Sequence, residues 1–222
     1  MSRFSQQQVY LTIERTGVVP LFYQPNVAMA RDIVGACVAG GAHVVEFTNR
    51  GDRALGVFSD LVQTAVPEEP DLILGIGSVT DAATASLFIA NGADFVVSPY
   101  FVPEVAVLCN ARKIPYIPGA FTPAEIAGAE MAGAVIVKLF PARVGGPRFL
   151  ADLLGPSPRS RLLPTGGVAA DREGVTSWIR AGAVAVGLGS QLIPAEPARP
   201  GGIDAIAERV AELREWIAAA RT

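Results

Sequence analysis

The sequence holds one histidine, His43. A histidine-ligated metal site or a Ser–His triad would need imidazoles elsewhere in the chain, so neither chemistry is expected. Cysteine is almost as scarce. Cys37 and Cys109 lie far apart in helix-like stretches and make no disulfide framework, so a reducing, cytoplasmic location is expected. No run of about 18 apolar residues occurs, and no membrane span is expected. The opening MSRFSQQQVY lacks the apolar core of a signal peptide. Formal net charge is only −3 and charges of both signs are interspersed. Without a Lys/Arg-rich run, neither nucleic acid nor a membrane surface is an expected partner. Lysine is scarce too: of 18 basic residues only Lys113 and Lys138 are lysines.

What is present is apolar and periodic. Half of the 222 residues are hydrophobic, enough to fill the core of one domain spanning 1–222. Eight short apolar runs recur at even spacing: VVPLFY (18–23), HVVEFT (43–48), LILGIG (72–77), FVVSPY (95–100), IPYIPG (114–119), VIVKLF (135–140), RLLPTG (161–166) and AVAVGL (183–188). Each has the length of a strand buried on both faces. The intervening segments read as helices. NVAMARDIVGACVAGGA stops at Gly40–Gly41, TPAEIAGAEMAGA opens on a Thr cap and a proline, and DREGVTSWIRAGA ends in Ala-Gly-Ala, the start and stop signals of helices. Eight strand–helix units predict an α/β fold, a (β/α)8 TIM barrel, with an open doubly wound sheet as the structural alternative. Residues 5–17 read as an N-terminal helix capping the closed end. PAEPARPGG (194–202) reads as a linker before an amphipathic helix over 203–220.

In such barrels the chemistry sits at the C-terminal ends of the strands. The polar residues falling there are Glu46, Thr48 and Arg50, then Ser78, Ser98, Thr122, Lys138, Thr165, Gly166 and Gly167, and last Gly187, Gly189 and Ser190. Alternation puts Ile136, Lys138 and Phe140 on one strand face, and Val44, Glu46 and Thr48 on another. If both faces point inward, Lys138 and Glu46 meet at the mouth. A desolvated amine is more readily neutral, as imine formation with a ketone requires, while a facing carboxylate can move protons. From position alone the same two residues also suit a purely structural ion pair. Arg50, just past a strand end, suits bidentate grip of a carboxylate or a solvated loop. The glycines of PTGGV (164–168) and GLGS (187–190) suit a phosphate group held by backbone N–H donors. His43 begins its run, at the opposite rim, and Trp178 and Trp216 read as packing residues.

In order along the chain, VVEFTNR, GIGSV, SPYF, IPYIPGAFTPAE, VKLFPA, LLPTGGV and GLGSQL resemble the 2-keto-3-deoxy-6-phosphogluconate / 4-hydroxy-2-oxoglutarate aldolases, class I pyruvate aldolases. The resemblance implies that Lys138 forms the imine with the keto acid and Glu46 is the general acid–base. It implies that Arg50 and Ser78 bind the pyruvyl carboxylate and Phe140 packs on the substrate. Thr48, Ser98, Pro99 and Thr165 join the substrate site, and Gly166, Gly167, Gly189 and Ser190 hold the phosphate. It further implies a homotrimer, a small keto acid and aldehyde as partners, and neither metal nor other cofactor. Three motifs depart from the family's common forms. Ser78 stands where threonine is usual, Tyr100–Phe101 follow Ser98–Pro99 where SPG is usual, and Thr48–Asn49–Arg50–Gly51 replace TLRT. Tyr100 and Asn49 therefore bear on the choice of aldehyde. Another imine-forming keto-acid lyase and a non-catalytic phosphate-binding barrel are the alternatives. For the aldolase, chelation with EDTA is expected to leave the rate of pyruvate release unchanged. A loss restored by a divalent ion would contradict it.

Overall fold

The computed structural model describes residues 3–194 and 202–222; most of the expected linker, 195–201, lies outside the described residues. Among the described residues nine short strands alternate with helices, except that β5 and β6 follow one another directly. In order they are β1 (Val18–Phe22), β2 (Val44–Thr48), β3 (Ile73–Gly77), β4 (Val96–Val97), β5 (Tyr116–Ile117), β6 (Gly119–Ala120), β7 (Val137–Leu139), β8 (Leu162–Pro164) and β9 (Val186–Leu188). All pairings are parallel. A curled six-stranded sheet runs β5-β4-β3-β2-β1-β9, and a three-stranded sheet runs β6-β7-β8.

The eight expected strands thus appear as nine, in two ladders rather than one. The fifth expected run breaks at Pro118, which lies between β5 and β6. Proline has no N–H to give to a ladder. Its carbonyl still accepts from Lys138 N at 2.9 Å. Between β8 and β9 the contact narrows to a single bridge, Thr165 with Gly187.

The helices are α1 (Gln6–Thr16), α2 (Val27–Ala39), α3 (Ala54–Glu68), α4 (Ala82–Ala90), α5 (Pro103–Arg112), α6 (Pro123–Met131), α7 (Gly146–Leu154), α8 (Arg172–Arg180) and α9 (Gly202–Ala220), with a 3-10 turn at Ala142–Val144. Their starts follow capping chemistry. Ser5 with Gln8, and Thr122 with Glu125, form capping boxes, which satisfy orphan N–H groups at both ends of the exchange. The backbone amides of Thr122 and Phe121 donate to Glu125 and hold its carboxyl below the usual range. The side chains of Asn26, Asp81 and Asp171 cap α2, α4 and α8 singly, accepting from the amides of Met29, Thr84 and Gly174.

Two apolar clusters fill the molecule. The larger lies between the outer faces of the strands and the helices. The smaller joins Val19, Val44, Ile73, Val97, Ile117 and Leu163, one from each of six strands, with Ile136 and Ala185 just before β7 and β9. Val9, Tyr10 and Ile13 of α1 belong to this smaller cluster. Burying one such aliphatic or aromatic side chain contributes about 1.5–3 kcal/mol. Cys37 and Cys109 are free and buried, and burial pushes both thiols up to about 12. Among the described residues no helix is long and apolar enough to cross a membrane.

Below the smaller cluster the chain start is tied down by a buried carboxylate. Asp94 pairs with Arg3 at 3.0 Å and accepts from Leu74 N at 3.1 Å. Replacing Asp94 with alanine strips these donors of their acceptor. Asp94→Ala is expected to cost about 2–3 kcal/mol, the loss associated with a charged hydrogen-bond partner. Urea unfolding measures it; a midpoint equal to the wild type would show that the tie carries no stability.

Candidate active site

Where the apolar interior ends, the next inward-facing layer turns polar. Leu21 on β1 stands in register with Glu46 on β2, and Lys138 on β7 stands in register with Leu163 on β8. Glu46 and Lys138 keep only 4% and 5% of their surface exposed. Lys138 Nζ lies 3.7 Å from Glu46 Oε1 and 5.4 Å from the Phe140 ring centroid. At 3.7 Å the pair attracts but does not share a hydrogen bond. Glu46 Oε1 has no hydrogen-bond partner. A buried acceptor of this kind is costly to leave unpaired, and a hydroxyl arriving between carboxylate and amine would satisfy it.

The local sequence makes room for this carboxylate. A Cβ on Gly77, the last residue of β3, would overlap the Glu46 carboxylate, with Cγ 2.8 Å away. One residue on, Ser78 holds the left-handed conformation at φ 60°. Arg50 Nε donates to Ser78 Oγ at 3.3 Å. An exposed guanidinium and a hydroxyl are thereby joined at one side of the mouth, a donor set suited to a carboxylate.

A cavity of about 140 Å³ opens above Lys138. Of the residues singled out from sequence, Lys138, Arg50, Ser78, Pro99, Phe140, Thr165, Gly166, Gly167, Gly189 and Ser190 line it. Glu46, Thr48, Ser98 and Thr122 do not. Glu46 meets the cavity through Lys138. Thr48 is buried and its hydroxyl donates to the Phe22 carbonyl at 3.1 Å, so it orders β1 against β2. Ser98 is fully buried. Gly187, named at the end of the eighth run, lines it too, and Leu21, Val168 and Gln191 also line the cavity but escaped the list of site residues. Two of them carried a signal: Leu21 follows Val19 by strand alternation, and Gln191 follows the eighth-strand motif GLGS directly.

The far side of the cavity is backbone-rich. Gly166 and Gly167 both have positive φ, 86° and 91°. A Cβ on Gly166 would lie 2.9 Å from the Phe140 ring, and one on Gly167 would strike Arg143. Both conformation and space therefore demand glycine, leaving amide donors open to an anion. Among the described residues no group of three His, Cys, Asp or Glu side chains could hold a metal ion.

Residues 10–209 match the model of the family described as KDPG and KHG aldolase. The chain belongs to the KDPG and KHG aldolase family. It is 31% identical over 204 residues to the 2-dehydro-3-deoxy-phosphogluconate aldolase of Dickeya dadantii, covering 91% of this chain and 92% of that one. It is 30% identical over 199 residues to the KHG/KDPG aldolase of Escherichia coli K12, covering 89% and 91%. Among solved structures, KDPG aldolase from Legionella pneumophila, with pyruvate captured at low pH as a covalent carbinolamine intermediate, superposes with a TM-score of 0.82 at 27% identity over 91% of this chain and 96% of that one. The curled parallel sheet and its helices are those of an aldolase of this family.

In this aldolase the Gly77 contact is directly testable. Gly77→Ala forces the Glu46 carboxylate to move. Turnover is expected to fall about 100-fold, the penalty associated with displacing a reacting group by ~1 Å. Steady-state pyruvate release reads the rate, and an unimpaired variant would show that the placing of Glu46 does not matter.

Proposed function

We propose that the protein is a Schiff-base aldolase that cleaves 2-keto-3-deoxy-6-phosphogluconate, with 4-hydroxy-2-oxoglutarate as the alternative keto acid, into pyruvate and an aldehyde. The observation that carries this reading is the buried Lys138–Glu46 pair, with one carboxylate oxygen lacking a hydrogen bond, at the floor of a cavity. The carbinolamine trapped in the Legionella pneumophila relative supports the same chemistry.

The steps follow from the placement. Arg50 and Ser78 hold the keto-acid carboxylate, which presents C2 to Lys138. The neutral amine adds to C2 and gives a carbinolamine. Glu46 delivers a proton to the departing hydroxyl, and water leaves as the protonated imine forms. The imine then acts as the electron sink. The C4 hydroxyl gives its proton to the Glu46 carboxylate, the C3–C4 bond breaks, and its electron pair moves into an enamine. The aldehyde leaves. Protonation of the enamine at C3 and addition of water to the imine release pyruvate and restore Lys138. Phe140 packs on the bound chain and shields the imine, while Pro99 and Thr165 shape the walls. Thr48 and Ser98 support the site from behind. The amides of Gly166, Gly167 and Gly189 with the Ser190 hydroxyl take the phosphoryl group.

The finer architecture belongs to the same reading. The two sheets act as one closed (β/α)8 barrel in a single domain, with α1 capping its N-terminal end. The Lys138–Pro118 hydrogen bond, the Thr165–Gly187 bridge and the α1 residues in the inner cluster support this. The protein works in the cytoplasm as a homotrimer, without metal or other cofactor. The family resemblance and the exposed side chains of Tyr100, Val107 and Met131 support the assembly.

Borohydride with pyruvate is the deciding experiment. Wild-type protein is expected to gain one reduced pyruvyl adduct on Lys138, located by mass spectrometry, and to release pyruvate from 2-keto-3-deoxy-6-phosphogluconate. No adduct would sink the imine assignment; an adduct without cleavage of any aldol substrate would point to a keto-acid lyase of another kind. Lys138→Ala and Lys138→Arg should both be inactive, since a guanidinium is no nucleophilic amine. Glu46→Gln should slow turnover by about 10²–10⁴-fold, the usual share of general acid–base catalysis, yet still be labelled slowly. A folded Glu46→Gln enzyme with wild-type turnover would remove Glu46 from the mechanism.

A further inference from the structure

The cavity has two anion-binding ends and an uneven supply of positive charge. Its lining contains two cations, Lys138 and Arg50. Lys138 faces Glu46, and Arg50 is bonded to Ser78 at the carboxylate end. The opposite end, at Gly166, Gly167, Gly189 and Ser190, offers amides and one hydroxyl but no cation from the lining itself. A phosphoryl group brings close to two negative charges to that end.

One arginine stands against this corner. Arg143 lies in the 3-10 turn that follows β7, five residues beyond Lys138. Its amide donates to the Gly166 carbonyl at 2.9 Å, which fixes its backbone to the glycine pair. Its stem is laid along Gly167: Cδ and Cγ come within 3.1 and 3.2 Å of where a Cβ on Gly167 would sit. The guanidinium begins one bond beyond Cδ. Arg143 is exposed and has no ion-pair partner among the described residues. The left-handed Gly167 thus does two things at once, opening an amide and leaving a channel for an arginine stem.

We propose that Arg143 is a specificity-determining residue whose guanidinium binds the phosphoryl group at the distal end of the substrate. The inference rests on the aldolase reading above and names the chemical class at its far end: a phosphate ester, not a bare hydroxyl or a carboxylate. The planar fork of a guanidinium suits two phosphoryl oxygens, and the exposed setting puts its effect at the low end of charge-assisted hydrogen bonds.

The test compares substrates across variants. For Arg143→Gln, KM for 2-keto-3-deoxy-6-phosphogluconate is expected to rise about tenfold with little change in kcat, as for loss of one charged hydrogen bond. The preference in kcat/KM for this substrate over unphosphorylated 2-keto-3-deoxygluconate should shrink by the same factor. Inorganic phosphate should inhibit the variant more weakly than the wild type, and Arg143→Lys should recover part of each loss. Borohydride labelling of Lys138 with pyruvate should match the wild type, since that end of the site is untouched. An unchanged substrate preference in Arg143→Gln overturns the proposal, as does an equal loss on both substrates. A loss confined to 4-hydroxy-2-oxoglutarate would assign the guanidinium to a carboxylate and overturn it too. A wild-type protein that takes no label and cleaves nothing would instead remove the aldolase reading itself.

Discussion

A lysine and a glutamate sit together where almost nothing else is charged, and the surrounding structure answers to that pair. Removing two ions from water carries a penalty of several kcal/mol each, which their mutual attraction offsets only in a favourable geometry. Here the attraction is loose, at 3.7 Å, and one carboxylate oxygen is left without a donor. Such an arrangement is poor engineering for stability and well suited to chemistry. The apolar layer beneath it keeps water out from below, the Phe140 ring stands beside the amine, and the missing side chain of Gly77 leaves the carboxylate its place. The strength of the core is what allows a locally costly pair to persist.

The division of labour around the mouth follows from the same fact. Rigid parallel strands carry the two groups that must meet at fixed distance. In the proposed mechanism the loops after them carry the groups that choose the substrate. Arg50 and Ser78 come from the turns after β2 and β3, while the glycines come from those after β8 and β9. On that reading, exchange in those loops would alter which aldehyde fits without disturbing the amine and its carboxylate. Ser78 in place of threonine, and Tyr100–Phe101 beside Pro99, are changes of that loop-borne kind.

Much of this was legible in the chain. Period-two alternation put Lys138 and Glu46 each on one strand face, with the inward direction left conditional, and glycine stops marked where α2, α4, α6 and α8 return to the sheet. What escaped reading depends on three-dimensional detail. Pro118 sits inside a run that looks like one strand, and only the hydrogen-bond ladder shows that it divides two. Thr48 looks like a rim hydroxyl, but its proton is committed to Phe22. Arg143 resembles any solvated arginine in a turn; its setting is created by the positive φ of a glycine 24 residues later in the sequence. Leu21 is apolar and sits inside a run that reads as a buried strand, although it also forms part of the cavity wall.

The pairing of β1 with β9 carries a consequence for biosynthesis. Val18 is matched with Val186, and the contacts of α9 are with α2 and α8. A chain emerging from the ribosome in order exposes one edge of its first strand until nearly all the rest has been made. Non-local pairings of this kind form late, because loop closure must precede the contacts that compensate for it. Throughout that interval the nascent sheet is a template with an open margin, the feature through which strands of different chains adhere. The same seam, once joined, sets Gly187 beside Val19 and completes that wall of the cavity.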